Sequence, residues 1–187
     1  MSFWFIPIRM PTVEIEVHAD RRLVFQVCTA WGAAGPDGKP VSKVLREEDD
    51  GRLLIEFHTP VKGLLGRTKV NRTVEWVTLR EPEQVDFQGV EGPLPRLQDR
   101  FTLEEWEACT RFKYDSTFAL HGSVLGWTVG MLYVRPILKR FMRDHSEEWK
   151  KIVIEERARR SKLYPQKPCP HEPAGNDDAR EGDLNTR

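Results

Sequence analysis

The sequence predicts an α+β fold, an antiparallel sheet with a long C-terminal helix lying on one of its faces. Three observations carry this. Between residues 41 and 120, six successive segments alternate apolar and polar residues and are separated by short turns. That is the period of half-buried strands, and short turns join antiparallel neighbours. From residue 126 to residue 162 the period becomes helical: Val134, Leu138, Met142, Trp149 and Ile152 fall at spacings of four, four, seven and three along one face. A shorter helical pattern precedes the strands, and helices at the two ends of a run of strands pack on one sheet face. An aromatic sheet face and an apolar helix stripe must cover each other, either in a solid core or around a cavity.

The elements follow in order. In residues 12–18, Val13, Ile15 and Val17 alternate with Glu14, Glu16 and His18, the pattern of a half-buried strand. Asp20 stands at an N-cap position before Leu23, Val24 and Val27, which share a helix face to about residue 30. Residues 32–40 (GAAGPDGKP) form a loop by their glycines and prolines. A strand over 41–48 leads through Asp49-Asp50-Gly51, a strong turn signal, to alternating Leu53, Ile55 and Phe57. A loop with Leu64 and Leu65 precedes a long strand over 67–80, in which Val70, Arg72, Val74 and Trp76 share a face. Val85 and Phe87 alternate in the next strand, Asp99, Phe101 and Leu103 in the one after the break at 91–95, and Phe112, Tyr114, Ser116 and Phe118 in the last.

Pro136 interrupts the long helical pattern and is expected to kink it, with 128–135 as a first half-helix. The 26 residues from 136 to 161 would extend about 39 Å, against roughly 26–40 Å for the longer strands. The helix can therefore span the sheet, with its basic last turns overhanging into solvent. Past Tyr164 the chain is rich in proline and poor in large apolar residues, so residues 1–163 are expected to form one domain and 164–187 a disordered tail.

Composition narrows the function. The chain has 187 residues, 39% of them hydrophobic, and balances 29 basic against 29 acidic residues. One domain with a substantial core fits that length. A zero net charge argues against nucleic acid as a partner, because phosphate binding normally shows as a basic excess. The basic residues of 135–162 read as a solvated outer face or, alternatively, as attraction to an anionic membrane. Three cysteines without motif spacing argue against a disulfide framework and for a reducing compartment. The opening MSFWFIPIRM lacks the form of a signal peptide, and no apolar stretch reaches the roughly 18 residues of a membrane span. A cytoplasmic location is the expectation. Cys169 and His171 make too weak a pair for a metal site, and no phosphate-binding loop or nucleophile elbow is present.

The order of elements, the segment GPLPRLQDRFTLEEWEACTRFKYDSTFAL and the following VRPILKRFMRDHSEEWKKI resemble the START-like (SRPBCC) superfamily, nearest its polyketide cyclase/dehydrase and lipid-transport branch. The resemblance covers residues 11–163. It implies a helix-grip fold, a curved seven-stranded antiparallel sheet wrapped around the C-terminal helix, with a hydrophobic cavity between them. It also implies a hydrophobic small-molecule partner, a lipid, isoprenoid or polyketide; the residues themselves give no sign of a cofactor or metal. It says little about chemistry, since members share a shape and not a catalytic motif.

Strand parity gives the expected cavity lining: Phe57, Val74, Trp76, Phe87, Phe101, Phe112, Tyr114 and Phe118 from the sheet, and Leu138, Met142 and Trp149 from the helix. Arg72, Asp99 and His145 are the ionisable residues expected among them. A buried charge must be paired or touch ligand or water. Three functions remain open at this point: a carrier of a hydrophobic ligand, a cyclase or aromatase using His145, Asp99 or Tyr114 for proton transfer, and an adaptor in transient contact with a membrane surface. Oligomeric state is not encoded in any pattern found here.

Overall fold

The computed structural model describes residues 5–32, 41–62, 68–94, 96–121 and 124–161. In chain order the elements are β1 (Phe5–Arg9), β2 (Val13–Val17), α1 (Arg21–Cys28), β3 (Ser42–Glu47), β4 (Leu53–Lys62), β5 (Thr68–Arg80), β6 (Gln84–Glu91), β7 (Gln98–Trp106), β8 (Cys109–His121), α2 (Val124–Val129), a π-helical turn (Gly130–Val134) and α3 (Arg135–Ser161). All strands pair antiparallel in the order β1-β8-β7-β6-β5-β4-β3, and β2 also pairs with β8. β1 and β2 occupy successive stretches of one edge, since Phe5 faces His121 and Val13 faces Tyr114. Seven strand positions thus cross the sheet, and the first is divided. β1 went unread because Pro7 interrupts it. On an edge, the missing N–H of a proline leaves no ladder bond unmade.

Local chemistry sets the joints. The Asp20 carboxylate accepts from the Arg22 and Leu23 amides at 3.1 Å, closing the first turn of α1. The buried Thr110 hydroxyl donates to the Ala19 carbonyl at 2.8 Å, tying the entrance of α1 to β8. Gly51 turns the β3–β4 hairpin at φ 80°, a conformation that favours glycine.

The break near Pro136 is real but takes an unexpected form. Residues 124–129 are α-helical and 130–134 make one wider π turn, after which α3 runs unbroken with Pro136 in its first turn. The wide turn is where the backbone absorbs the missing proline N–H. From Val134 at the end of the π turn, the inward residues along α3 are Leu138, Met142, Ser146, Trp149 and Val153. Ile152 is 51% exposed, and Val153 takes its place in the core at 0%. One residue is about 100° of rotation, and the small polar Ser146 concealed the continuous register. The last turns of α3 do not overhang: Arg160 donates to Gln26 of α1 at 2.8 Å.

The core lies between the sheet's inner face and the helices. Its larger cluster joins β2, α1, the inner residues of β4–β8 and Val153. A smaller cluster of Ile8, Met10 and Phe118 packs with Met131, Val134 and Leu138. Cys28, the last residue of α1, is a free thiol. The expected Pro-rich tail (164–187), most of the expected loop over 32–40 and the expected loop at Leu64 and Leu65 fall outside the described residues.

Candidate functional site between the sheet and the C-terminal helix

Cross-strand register defines the inner face. Leu53 faces Val77, Val77 faces Phe87, Phe87 faces Asp99, and Asp99 faces Ser116. One step along, Phe57 faces Thr73 and Ile55 faces Glu75. Directly opposed residues share a sheet face, so Thr73, Glu75, Asp99, Tyr114 and Ser116 belong to the same surface as the aromatic residues.

Those aromatics form a continuous band. Trp31, just past α1, meets Phe57 edge-on at 5.7 Å and Phe87 at 6.3 Å between ring centroids. Phe87 meets Phe101 at 4.8 Å, Phe101 meets Phe112 at 5.1 Å, and Phe112 meets Trp149 of α3 at 5.1 Å. Phe57, Phe101, Met142 and Trp149 keep part of their surface exposed although they face inward. α3 packs against β2 and α1, so its contact line runs along the β2–β8 side of the face that β4–β7 extend.

A polar seam crosses this apolar face where the two core clusters meet. On β8, Ser116 separates Tyr114 of the larger cluster from Phe118 of the smaller. Thr73 donates to Glu75 Oε1 at 2.7 Å. Burial, chiefly, pushes the Glu75 carboxyl up to about 7; the Thr73 hydrogen bond opposes the rise and the charge of Asp99 adds to it. Burial likewise raises Asp99 to about 6, against the Ser116 and Tyr114 hydroxyls, which favour its charged form. The Tyr114 phenol is pushed well above its ordinary value by burial first and by Asp99 next. No cation among the described residues contributes to any of these shifts. Four buried side-chain atoms have no hydrogen-bond partner among the described residues, Glu16 Oε1, Trp31 Nε1, Asp99 Oδ1 and Arg135 Nε, and those of Asp99 and Trp31 belong to residues of this face. Unmet buried polar groups are rare in folded proteins and mark places where a ligand or water belongs. Near neutral pH this seam offers a Glu75 carboxyl close to half protonation, an Asp99 that is chiefly carboxylate, hydroxyls and an indole N–H within an aromatic surround.

The expected lining divides accordingly. Phe57, Phe87, Asp99, Phe101, Phe112 and Tyr114 lie on the inner face, and Met142 and Trp149 reach the same cluster from α3. Phe118 and Leu138 face inward in the smaller cluster. Arg72, Val74 and Trp76 do not line the interior. They have the opposite parity in β5, and Arg72 lies on the outer surface bound to Glu56 at 2.6 Å and Glu91 at 2.7 Å. The Trp76 ring sits against the guanidiniums of Arg46 and Arg52 at 5.2 and 5.1 Å. Val74 is buried on that outer parity beside a bulge at Val74/Glu75.

His145 does not enter the seam either. It is exposed on α3 and lies flat on Phe141 at 5.7 Å. Desolvation lowers its pKa, with Glu148 opposing. Its open surface weighs more than that shift, because a group in water contact is only weakly desolvated. Thr73, Glu75 and Trp31 were missed. Thr73, Glu75, Val77 and Leu79 do alternate in sequence, but a glutamate on that parity reads as the wet face. Among the described residues no group of three or more His, Cys, Asp or Glu side chains is placed to hold a metal, and no helix is long and apolar enough to cross a membrane.

The fold has close structural relatives. A protein of Thermus thermophilus superposes with a TM-score of 0.62 at 14% identity, covering 80% of this chain and 99% of its own. A START superfamily protein of Mycobacterium smegmatis gives 0.61 at 12% identity, with 79% and 99% covered. The Zhui aromatase/cyclase of Streptomyces sp. R1128 gives 0.62 at 16% identity, with 87% and 100% covered. No family model matches the sequence, and no curated protein matches it. The chain shares the helix-grip fold of these structures, an antiparallel sheet with a long C-terminal helix, and at these identities the likeness establishes the fold and not the chemistry.

Proposed function

We propose that this protein binds a hydrophobic small molecule, a lipid, isoprenoid or polyketide, between the inner sheet face and α3, and that the polar seam recognises oxygen atoms on it. The observation that carries the reading is the position of Glu75 and Asp99: two buried carboxyls on one aromatic face, raised to about 7 and about 6, with no cation among the described residues contributing to either shift. Glu75, when it carries its proton near neutrality, donates a hydrogen bond to a carbonyl or hydroxyl oxygen, and the Asp99 carboxylate accepts one from a hydroxyl. The apolar surround supplies affinity, about 0.8 kcal/mol per buried methylene, offset by association costs of about 4–15 kcal/mol.

Mass spectrometry of the organic extract of purified protein tests this. A stoichiometric apolar compound bearing oxygen supports the reading. A protein that yields none, and that takes up neither a fatty acid nor an aromatic polyketone in solution, contradicts it.

A second reading has an observation of its own. Asp99 lies beside the Tyr114 and Ser116 hydroxyls and is poised to exchange a proton near pH 6, as an aldol-type ring closure of a polyketone would require. The Zhui structure is that of an aromatase/cyclase, which supports the same class here. Turnover of a linear polyketone analogue that Asp99→Asn abolishes while binding persists favours the enzyme; binding without turnover favours the carrier.

A further inference from the structure

The helical segment that leads into α3 is apolar on two faces. Gly130, Met131, Val134 and Leu138 face the smaller core cluster or are buried against it. The opposite side is open: Val129 is 42% exposed, Leu132 67%, Tyr133 62% and Ile137 40%. These four recur at spacings of three, one and four, and the exposed Pro136 continues their face. Leu132 is the most exposed large apolar side chain among the described residues, and Trp127, 42% exposed, stands one to two turns before it.

Charge changes sharply along the same segment. Residues 127–143 contain Arg135, Lys139, Arg140 and Arg143 and no carboxylate, in a chain whose net charge is zero. Lys139, Arg140 and Arg143 are exposed just beyond the apolar stretch. The first acid, Asp144, stands 3.9 Å from Arg140. A second copy docked symmetrically on 127–143 would bring these cations near their own counterparts, the nearest acid being Asp144, which already stands by Arg140. An anionic lipid surface meets both features, because its headgroup boundary accepts Tyr, Trp and Leu side chains while its phosphates meet Lys and Arg.

We propose that the outer face of 127–143 docks on membranes containing anionic phospholipid. Leu132, Tyr133 and Ile137 enter the headgroup–acyl boundary, and Lys139, Arg140 and Arg143 lie at the phosphates. The proposal is independent of the proposed ligand site between the sheet and α3.

Cosedimentation of the full chain with vesicles of phosphatidylcholine alone, and of phosphatidylcholine mixed with phosphatidylglycerol, tests it. Binding to the mixed vesicles is expected, weakening as salt screens the headgroups. Leu132→Asp is expected to weaken it roughly tenfold or more, and Arg140→Glu with Arg143→Glu by at least about fivefold per cation removed. All three positions are exposed, so the thermal melts of the variants should match the parent, and Ile137→Asp gives a second apolar test. Absence of binding to the mixed vesicles overturns the proposal, as does binding that Leu132→Asp and Ile137→Asp leave unchanged. A dimer in sedimentation that Leu132→Asp dissolves, without vesicle binding, overturns it in favour of a second copy.

Discussion

The two faces of the sheet handle charge in opposite ways. On the outer face acids meet cations: Glu56 and Glu91 hold Arg72, Asp86 holds Arg100 at 2.6 Å, and Trp76 is flanked by two guanidiniums. On the inner face Glu75 and Asp99 have hydroxyl neighbours and aromatic rings instead, and burial raises their pKa values. The outer pairs are solvated and contribute little to stability. The inner carboxyls are costly to ionise and cheap to protonate. A Gln or Leu at either inner position would relieve that cost.

Substitutions on the two faces should therefore differ in size and in pH dependence. The largest effect is expected from Phe101→Ala. It removes a ring that contacts Phe87, Phe112 and Tyr114 at 4.8, 5.1 and 5.7 Å and should cost about 3 kcal/mol in urea unfolding. Glu75→Gln comes next and has the opposite sign at high pH. A carboxyl raised to about 7 when folded binds its proton more tightly in the native state. Native stability is therefore fullest below about pH 4.5, falls as pH rises through about 7, and stays low above. Glu75→Gln should remove that slope and raise stability at pH 8 by on the order of 2–3 kcal/mol, measured as unfolding free energy against pH. If the parent gains stability between pH 5 and 8 by a mechanism that Glu75→Gln abolishes, the inner-face account is wrong. Trp76→Ala on the outer face should cost about 1 kcal/mol through lost stacking with arginine. Arg72→Ala should leave the melting temperature unchanged within error.

Much of the fold was legible because period and turn chemistry are local. The six strands after α1, the Asp20 cap, the Asp50-Gly51 turn and the irregularity before Pro136 each rest on a few adjacent residues. The split first strand was not legible, since pairing of 5–9 with 117–121 is a long-range matter and Pro7 masks the alternation. The site was read in part. Phe57, Phe87, Asp99, Phe101, Phe112 and Tyr114 followed from parity. In β5 both parities carry apolar residues, and Trp76 drew the assignment to the wrong one. Only the pairing of Val77 with both Leu53 and Phe87 resolves it. That reversal excluded Arg72, Val74 and Trp76 and concealed Glu75. His145 was misplaced for a related reason: on a helix, the residue before a buried serine points away from the core.

The most direct measurement is amide chemical-shift mapping as a neutral naphthyl probe, or the ligand extracted from the protein, is titrated in. The account predicts saturable shifts at Phe57, Glu75, Asp99, Phe101, Ser116 and Trp149, with Arg72, Trp76 and Arg100 unmoved. Shifts confined to the outer residues, or none at any concentration, would contradict it.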